Sequence, residues 1–195
     1  MIQVFELQMG EDWTEVDMIS FVDDPAIKTP FLKFKNENPF QFAAIEDRRI
    51  VTGPVLIPDL IIPRRVEDVM FNVVFRAEQI KKVYDKFMQS KSYSNANFMH
   101  KTELSSTDDC HLYECFLSDK ERGVNAPEKF NDLPDHTWFM SYKITDDSLW
   151  QMIKDGKITG YSIEGRFKMI PTNGDAEGER VLQELDDILS QIENS

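Results

Sequence analysis

The sequence predicts a β-dominated α+β fold, in which short strands separated by turn residues outnumber the helices. Residues Arg49 to Pro58 are rich in β-branched side chains and almost continuously apolar, which is typical of a buried strand. Trp138 to Ile144 indicates a further strand. Arg76 to Ser90 instead repeats apolar residues at spacings of three and four, which predicts an amphipathic helix lying on the sheet.

The elements expected before this helix are strands and the loops that join them. Ile2 to Gln8 predicts the first strand, and Gly53-Pro54 predicts a bend within the strand at Arg49 to Pro58. Around them we expect a turn at 21–26, a polar loop at 35–41, a connecting loop at 59–68 and a short strand at 71–74.

After the helix, Ala96 to His100 and Cys110 to Leu117 predict an antiparallel hairpin. The charged loop at 118–135 that follows has a length typical of functional or mobile segments. Asp146 is expected to cap a short helix that Gly156 ends, before the next strand begins.

The chain of 195 residues is long enough for one domain with a substantial core. We predict that this domain spans 1–171, that 172–178 is a linker, and that 179–195 is an acidic amphipathic C-terminal helix. The apolar side of that helix consists of Val181, Leu182, Leu185, Ile188, Leu189 and Ile192.

The charge of the chain limits its partners. Its formal net charge of −13 at pH 7 would repel the phosphates of nucleic acid and the surface of an anionic membrane. We therefore expect neither a nucleic acid nor a membrane as partner. The first residues do not resemble a signal peptide and no apolar run approaches a membrane span, so we expect a soluble, cytosolic protein.

The two cysteines predict neither a disulfide nor a metal site. Cys110 and Cys115 are five positions apart in one predicted strand, which would place them on opposite faces. The sequence also lacks the paired cysteine motifs of zinc sites. We expect no metal and no cofactor.

A serine is the most suggestive candidate for chemistry. The alternation around Ser162 places Tyr161 and Ile163 on one strand face and Ser162 on the other, polar face. Gly160 and Gly165 flank it and would let another backbone approach closely. A serine in this position is where a nucleophile could sit.

A serine nucleophile needs a base, and histidine is the usual one because its pKa lies near neutrality. The chain has three histidines, His100, His111 and His136. His100 ends a predicted strand before a polar loop, which would leave its ring accessible. The residues alone do not decide among the three.

A carboxylate is expected to orient the base. Glu114 is the main candidate, because it would share a strand face with Leu112 and Phe116 beside the His100 strand, and a carboxylate on an apolar face needs a partner. Glu164 is more suited to shaping the site. The other carboxylates considered are Asp59, Glu103, Asp108 and Asp109.

At this point the residues resemble a known family. The string Gly156 to Phe167, preceded by Asp146 to Lys154, resembles the nucleophile region of tailed-phage prohead (capsid maturation) proteases, and is most similar to the XkdF-like phage serine proteases. The resemblance covers roughly residues 45 to 170, and its specificity rests on the order of motifs. Upstream it includes Arg49 to Pro58, Phe71 to Met88, Asn97-Phe98-Met99-His100-Lys101 and Leu112 to Cys115.

The resemblance implies a role for two residues and a fold. Ser162 matches the nucleophile and His100 the general base. Residues 1–171 would be a prohead protease-like domain, with the small β-barrel surrounded by helices that the family shares with herpesvirus assemblins. The implied partners are the scaffold and major capsid proteins, with self-association as a dimer, inside a viral procapsid in the host cytoplasm.

The third catalytic member is not carried over, because no histidine follows Ser162 as it does in the herpesvirus relatives. Some phage relatives carry arginine directly behind the serine, whereas here Ile163 and Glu164 precede Arg166. Glu114 is favoured as the third member. The backbone amides near Gly165 and Arg166 are the expected oxyanion hole.

Three functions follow as hypotheses. The first is a serine endopeptidase that cleaves scaffold and capsid-protein segments during phage procapsid maturation. The alternative is a non-enzymatic phage structural or assembly protein on a related fold, since fold does not fix function. A β-rich binding module that docks a partner through its acidic C-terminal helix is the weaker third reading.

Overall fold

The computed structural model of the chain describes residues 2–9, 16–22, 43–45, 48–91, 96–99, 102–105, 108–165, 167–172, 174 and 176–193. Within these ranges there are twelve strands and three α-helices. The predicted loop at 35–41 and most of the predicted turn at 21–26 lie outside the described residues.

The first six strands are β1 (Val4–Gln8), β2 (Val16–Val22), β3 (Ala43–Ile45), β4 (Ile50–Leu56), β5 (Ile62–Val66) and β6 (Val69–Val74). The other six are β7 (Ala96–Phe98), β8 (Thr102–Leu104), β9 (Cys110–Leu117), β10 (Trp138–Ile144), β11 (Gly160–Gly165) and β12 (Lys168–Pro171). The helices are α1 (Ala77–Ser90), α2 (Asp147–Lys154) and α3 (Ala176–Glu193).

The strands form three four-stranded sheets. We call them the β1 sheet (order β12-β1-β6-β5), the β10 sheet (order β3-β4-β10-β9) and the β11 sheet (order β11-β2-β7-β8). The β1–β6 and β2–β7 pairs are parallel and the other pairs are antiparallel. This confirms the β-dominated α+β class. Barrel closure and the likeness to assemblin stay predictions, since none of these sheets closes on itself within the described ranges.

An aromatic cluster joins the β10 sheet to the β11 sheet. The ring of Phe21 on β2 lies edge-on to Tyr142 on β10, with the ring centroids 5.1 Å apart, and to Tyr161 on β11 at 5.4 Å. The Tyr161 hydroxyl also donates to the carbonyl of Val51 on β4, at 3.2 Å. The inner faces of the two sheets therefore share one core.

The helices follow the predicted patterns. α1 buries Ile80, Val83 and Phe87, the stripe that its spacing predicts. α2 begins after Asp146, whose carboxylate accepts from the backbone N–H of Leu149 at 2.6 Å and so satisfies a donor of the first turn. None of the helices in the described part of the chain is long and apolar enough to cross a membrane.

The C-terminal helix begins earlier than predicted. α3 starts at Ala176, inside the segment 172–178 that the sequence indicated as a linker. Leu185 is completely buried in the main core, and Val181 and Leu182 pack against it. These three residues of the predicted apolar side therefore contact the rest of the molecule.

Two predictions about the strands are wrong. Residues 59–68 are not only a loop, because they include β5, an edge strand that tolerates Pro63 since it pairs only with β6. The hairpin of 96–100 with 110–117 does not form either. Its first strand pairs with β2 and β8, and its second, β9, pairs with β10. The sequence did not predict the strand at 16–22. This strand, β2, lies beside β7, where the prediction had placed β9.

The cysteines do not lie on opposite faces as predicted. In the pairing of β9 with β10, Cys115 lies opposite Met140 and Cys110 opposite Ile144, but Tyr113 has no partner and forms a β-bulge. The extra residue reverses the alternation, so both cysteines face the core. Both thiols are free.

The charged loop at 118–135 is closed at its base and packs against the β10 sheet. Its ends are joined where the backbone N–H of Ser118 donates to the carbonyl of Thr137 at 2.9 Å. Its short 3-10 helix, Glu128–Phe130, buries Phe130 against Phe139, with the ring centroids 5.8 Å apart. The loop therefore covers part of the face of the β10 sheet that carries Phe139.

The core contains one hydroxyl whose removal should not cost stability. The Tyr142 hydroxyl is buried without a hydrogen-bond partner among the described residues. Tyr142→Phe is therefore expected to leave the free energy of unfolding unchanged or raise it by up to about 1 kcal/mol, as measured by urea denaturation. The control, Tyr161→Phe, removes the bond to Val51 and should lower the free energy by about 1 kcal/mol. Equal losses in both variants would contradict the prediction.

Candidate active site

Ser162 lies in the middle of β11, on the face that the alternation predicts. In the antiparallel pairing with β2, Tyr161 lies opposite Phe21 and Ser162 opposite Ser20. Tyr161 and Phe21 belong to the core. Because successive strand residues point to opposite faces, Ser162 and Ser20 both point away from that core.

Ser162 belongs to a row of three buried polar side chains. Ser20 on β2 lies opposite Ser162 on one side and opposite Asn97 of β7 on the other. The Ser20 hydroxyl donates to Oδ1 of Asn97 at 2.6 Å. Ser162, Ser20 and Asn97 are only 5%, 0% and 4% exposed. We call these three residues the polar row.

A β-bulge lies beside the polar row. Glu164 pairs with Met18 and Gly165 with Val16, so that Asp17 has no partner. Bulges bend a strand, increase its twist and re-aim its groups, and they are frequent next to active sites. The register therefore shifts at Gly165, an expected oxyanion position, and the unpaired residue lies on β2. Arg166, the other expected position, lies outside the described residues.

His100, the predicted base, also lies outside the described residues. The strand that precedes it, β7, ends at Phe98 and is separated from β11 only by β2. Two strand spacings correspond to about 10 Å. Next to β7, the backbone N–H of Met99 donates to the carbonyl of Phe21 at 2.9 Å, with a left-handed φ of 54° at Met99.

Glu114 is not placed in the β11 sheet. It lies on β9, at the edge of the β10 sheet, and its exposed carboxylate accepts from the Ser141 hydroxyl at 2.8 Å. Ser141 shares a second hydrogen bond, of 2.8 Å, with Thr52. The bulge at Tyr113 turns Leu112 to the opposite face. The reasons for choosing Glu114, a face shared with Leu112 and a place beside the His100 strand, are therefore wrong, while its role stays a prediction.

The other two histidines also lie away from the β11 sheet. His111 is an exposed residue of β9, opposite Lys143. His136 precedes β10 with a left-handed φ of 65°, and its backbone N–H donates to the carbonyl of Ser118 at 2.9 Å. Neither histidine belongs to a strand next to β11.

Most of the remaining carboxylates have structural contacts. Asp59 forms an ion pair of 2.6 Å with Arg76. Asp109 accepts from the backbone N–H of Ser105 at 2.7 Å. Glu103 differs in its position. It lies on β8, the edge strand of the β11 sheet, directly opposite Asn97, and it is exposed. It therefore extends the polar row to the edge of the sheet.

The cysteines offer no alternative nucleophile. Burial raises the pKa of the Cys110 thiol to about 12 and the pKa of the Cys115 thiol to about 11. Since the thiolate is the reactive form, both groups are unreactive near neutral pH. Among the side chains that the structure describes, no group of three or more could hold a metal ion.

Ser20 and Asn97 were not identified as site residues from the sequence. A local signal was present, because Ser20 stands between Ile19 and Phe21 just as Ser162 stands between Tyr161 and Ile163. The alternation alone did not show that the two serines are cross-strand neighbours.

Comparison with known proteins identifies one family. Residues 40–171 match the family model described as "Putative phage serine protease XkdF". The matched region includes β11 with Ser162 and β7 with Asn97. No curated protein and no solved structure matches the chain.

Proposed function

Since the chain belongs to the phage serine protease family whose model it matches over residues 40–171, we propose that it is a serine endopeptidase of phage procapsid maturation. The observation that carries the proposal is the position of Ser162. It lies within the matched region, on the strand face opposite the core, in a row of buried polar groups.

The proposed reaction is acyl transfer through Ser162. Its Oγ attacks the carbonyl carbon of a peptide bond while His100 accepts the hydroxyl proton. The C–N bond then breaks, the leaving amine takes the proton from His100, and an acyl-enzyme remains. Water hydrolyses this ester, again with His100 as the base, and restores the serine.

Other groups have supporting roles in this proposal. The backbone N–H groups at Gly165 and Arg166 would stabilise the oxyanion. The bulge beside Gly165, which leaves Asp17 of β2 unpaired, would help to aim the backbone there. Glu164 would shape the substrate site. Glu114 is retained as the proposed partner of His100, although its described hydrogen bond is to Ser141.

The proposed substrates are segments of the scaffold and major capsid proteins, inside the procapsid in the host cytoplasm. Confinement in a shell raises the effective concentration of substrate, so a modest active site would suffice there. A dimer of this chain is part of the same proposal. The proposal also includes an assemblin-like barrel as the fold. The contact of β11 with β4, where the Tyr161 hydroxyl donates to the Val51 carbonyl, is consistent with such a barrel.

A fluorophosphonate probe tests the nucleophile in the purified protein. Serine Oγ would form a bond to phosphorus, fluoride would leave, and the hydroxyl proton would pass to the base. We expect peptide mass spectrometry to find the adduct on Ser162 at neutral pH, because only an activated serine reacts rapidly.

Two variants provide the controls for this experiment. Ser162→Ala should lose the adduct, whereas Ser148→Ala, which changes an exposed serine of α2, should be labelled like the unmodified chain. Equal labelling of Ser162→Ala, or no labelling of the unmodified chain, would contradict the proposed function.

A further inference from the structure

We propose that two copies of this chain associate through a basic corner of the β10 sheet, which binds the acidic face of α3 on the other copy. The basic corner consists of Arg48, His111, Tyr113 and Lys143. The acidic face consists of the exposed carboxylates of α3, which are Glu177, Glu179, Glu184, Asp186 and Asp187. The inference rests on the proposed function, because it specifies the dimer included there, but it does not involve the catalytic role of Ser162.

The basic corner is held together by contacts among its own members. Nη2 of Arg48 donates to the Tyr113 hydroxyl at 2.6 Å, and the guanidinium carbon lies 5.6 Å from the centre of the Tyr113 ring. The Lys143 ammonium donates to the carbonyl of Arg48. His111 lies directly opposite Lys143 in the pairing of β9 with β10, so both side chains are on one face. The four side chains therefore form one surface.

The three basic side chains of the corner form no ion pair with the residues that the structure describes. The nearby carboxylates are engaged elsewhere. Asp147 pairs with Arg49 at 2.7 Å, and Glu114 accepts from the Ser141 hydroxyl. In a chain with a net charge of −13, cations without a carboxylate partner form a surface that fits an anionic partner.

The exposed aromatic ring of the corner indicates that the partner is a protein. Tyr113 is 47% exposed, at the bulge of β9, and its hydroxyl is held by Arg48. Tyrosine and arginine are the residue types that most often carry the binding energy of protein interfaces. Because a hydrogen bond already orients both side chains, little of their freedom is left to lose on binding.

The acidic face of α3 has the complementary charge and a fixed position. Leu185 anchors the opposite side of the helix in the core. Arg180 is the one exposed basic residue of α3 within 176–188. Glu184 and Asp187 are three positions apart and so are neighbours on the helix surface, where like charges repel unless a cation lies between them. Asp187 accepts from Gln183 at 3.0 Å, which orients its carboxylate without neutralising it.

A second copy is the partner that the charges favour. Both surfaces belong to the same chain, so a two-fold pair makes the contact twice. The negative charge of the two copies opposes association at long range. At physiological salt, however, charges more than about 8 Å apart are largely screened, whereas ion pairs in direct contact are retained.

The test mixes two charge-reversed variants and measures their association by sedimentation velocity. The corner variant carries Arg48→Glu and His111→Glu, and the helix variant carries Glu184→Lys and Asp187→Lys. In each variant alone, the dimer should be weakened at least about 100-fold, because like charges meet in both contacts. The equimolar mixture should regain most of the affinity, since a mixed dimer has one unmodified contact and one with both signs exchanged.

Two further variants make the test specific. Lys82→Glu combined with Gln89→Glu changes two exposed residues of α1 and alters the net charge as much as the corner variant does. This control should keep the affinity of the unmodified dimer within about threefold. Tyr113→Ala should weaken the dimer by about 10-fold. Since all the replaced side chains are exposed, circular dichroism spectra should be unchanged.

The outcomes separate the inference from the proposed function. An unmodified chain that stays monomeric would overturn the inference, as would a mixture of the folded variants that stays monomeric, or a control that dissociates like the corner variant. If Ser162 of a monomeric chain is still labelled by the fluorophosphonate, the protease proposal stands and only the dimer fails. If the mixture dimerises but Ser162 is not labelled, the interface stands and the protease proposal fails.

Discussion

Ser162→Ala is expected to stop the cleavage of scaffold and capsid-protein segments in cells that co-express this chain with both proteins. Removal of the nucleophile of a serine protease lowers the rate by at least about 10³-fold, because the acyl-enzyme cannot form. On gels, the processed bands should disappear and the full-length proteins accumulate. The substitution removes one buried oxygen and adds no volume, so the fold should be retained.

The matched control for this experiment is Ser148→Ala, which changes an exposed serine in the first turn of α2. Cleavage should continue at the normal rate in this variant. Unchanged processing in Ser162→Ala would contradict the protease proposal and favour the alternative of a non-enzymatic structural protein. A circular dichroism spectrum and a thermal melt of each variant would exclude misfolding as the cause of a loss.

Phe21→Ala is expected to be the most destabilising of the substitutions considered. Phe21 is completely buried and contacts both Tyr142 and Tyr161, so it links the β11 sheet to the β10 sheet. Replacing a buried phenylalanine by alanine removes apolar burial and leaves a cavity, which together cost about 3–5 kcal/mol. Urea denaturation measures this loss of the free energy of unfolding.

Two further variants make the Phe21 prediction specific. Phe21→Leu keeps much of the buried volume and should cost less than Phe21→Ala. Tyr113→Ala changes an exposed aromatic residue at the bulge of β9 and should alter the free energy of unfolding by less than about 1 kcal/mol. A loss below about 1 kcal/mol in Phe21→Ala would show that this side chain does not join the two sheets.

Local periodicity predicted the helices and several strands well. The strand Trp138–Ile144 and the cap at Asp146 have the predicted positions, and α1 begins one residue later than expected. In each case the signal is contained in consecutive residues. Edge strand β5 was missed because Pro63 and two arginines obscure its alternation, which is tolerable where only one side of the strand is paired.

The candidate site was predicted only in part. The strand face of Ser162 was correct, because it depends on the alternation of its own strand. The neighbours predicted for Glu114 were wrong for two reasons. Strand β9 pairs with β10 and not with the His100 strand. In addition, the extra residue at Tyr113 changes which side chains of β9 share a face. A bulge of one residue leaves no clear sign in the sequence.

The sequence by itself determined the β-dominated α+β class, the apolar stripes of the helices, and the polar strand face of Ser162. These features follow from periods of two and 3.6 residues along the chain. Only the tertiary structure decided that Ser20 lies opposite Ser162 and bonds to Asn97, a partner 77 positions away. The physical reason is that strand pairing depends on which buried faces pack together across the whole chain, whereas the alternation of each strand is local.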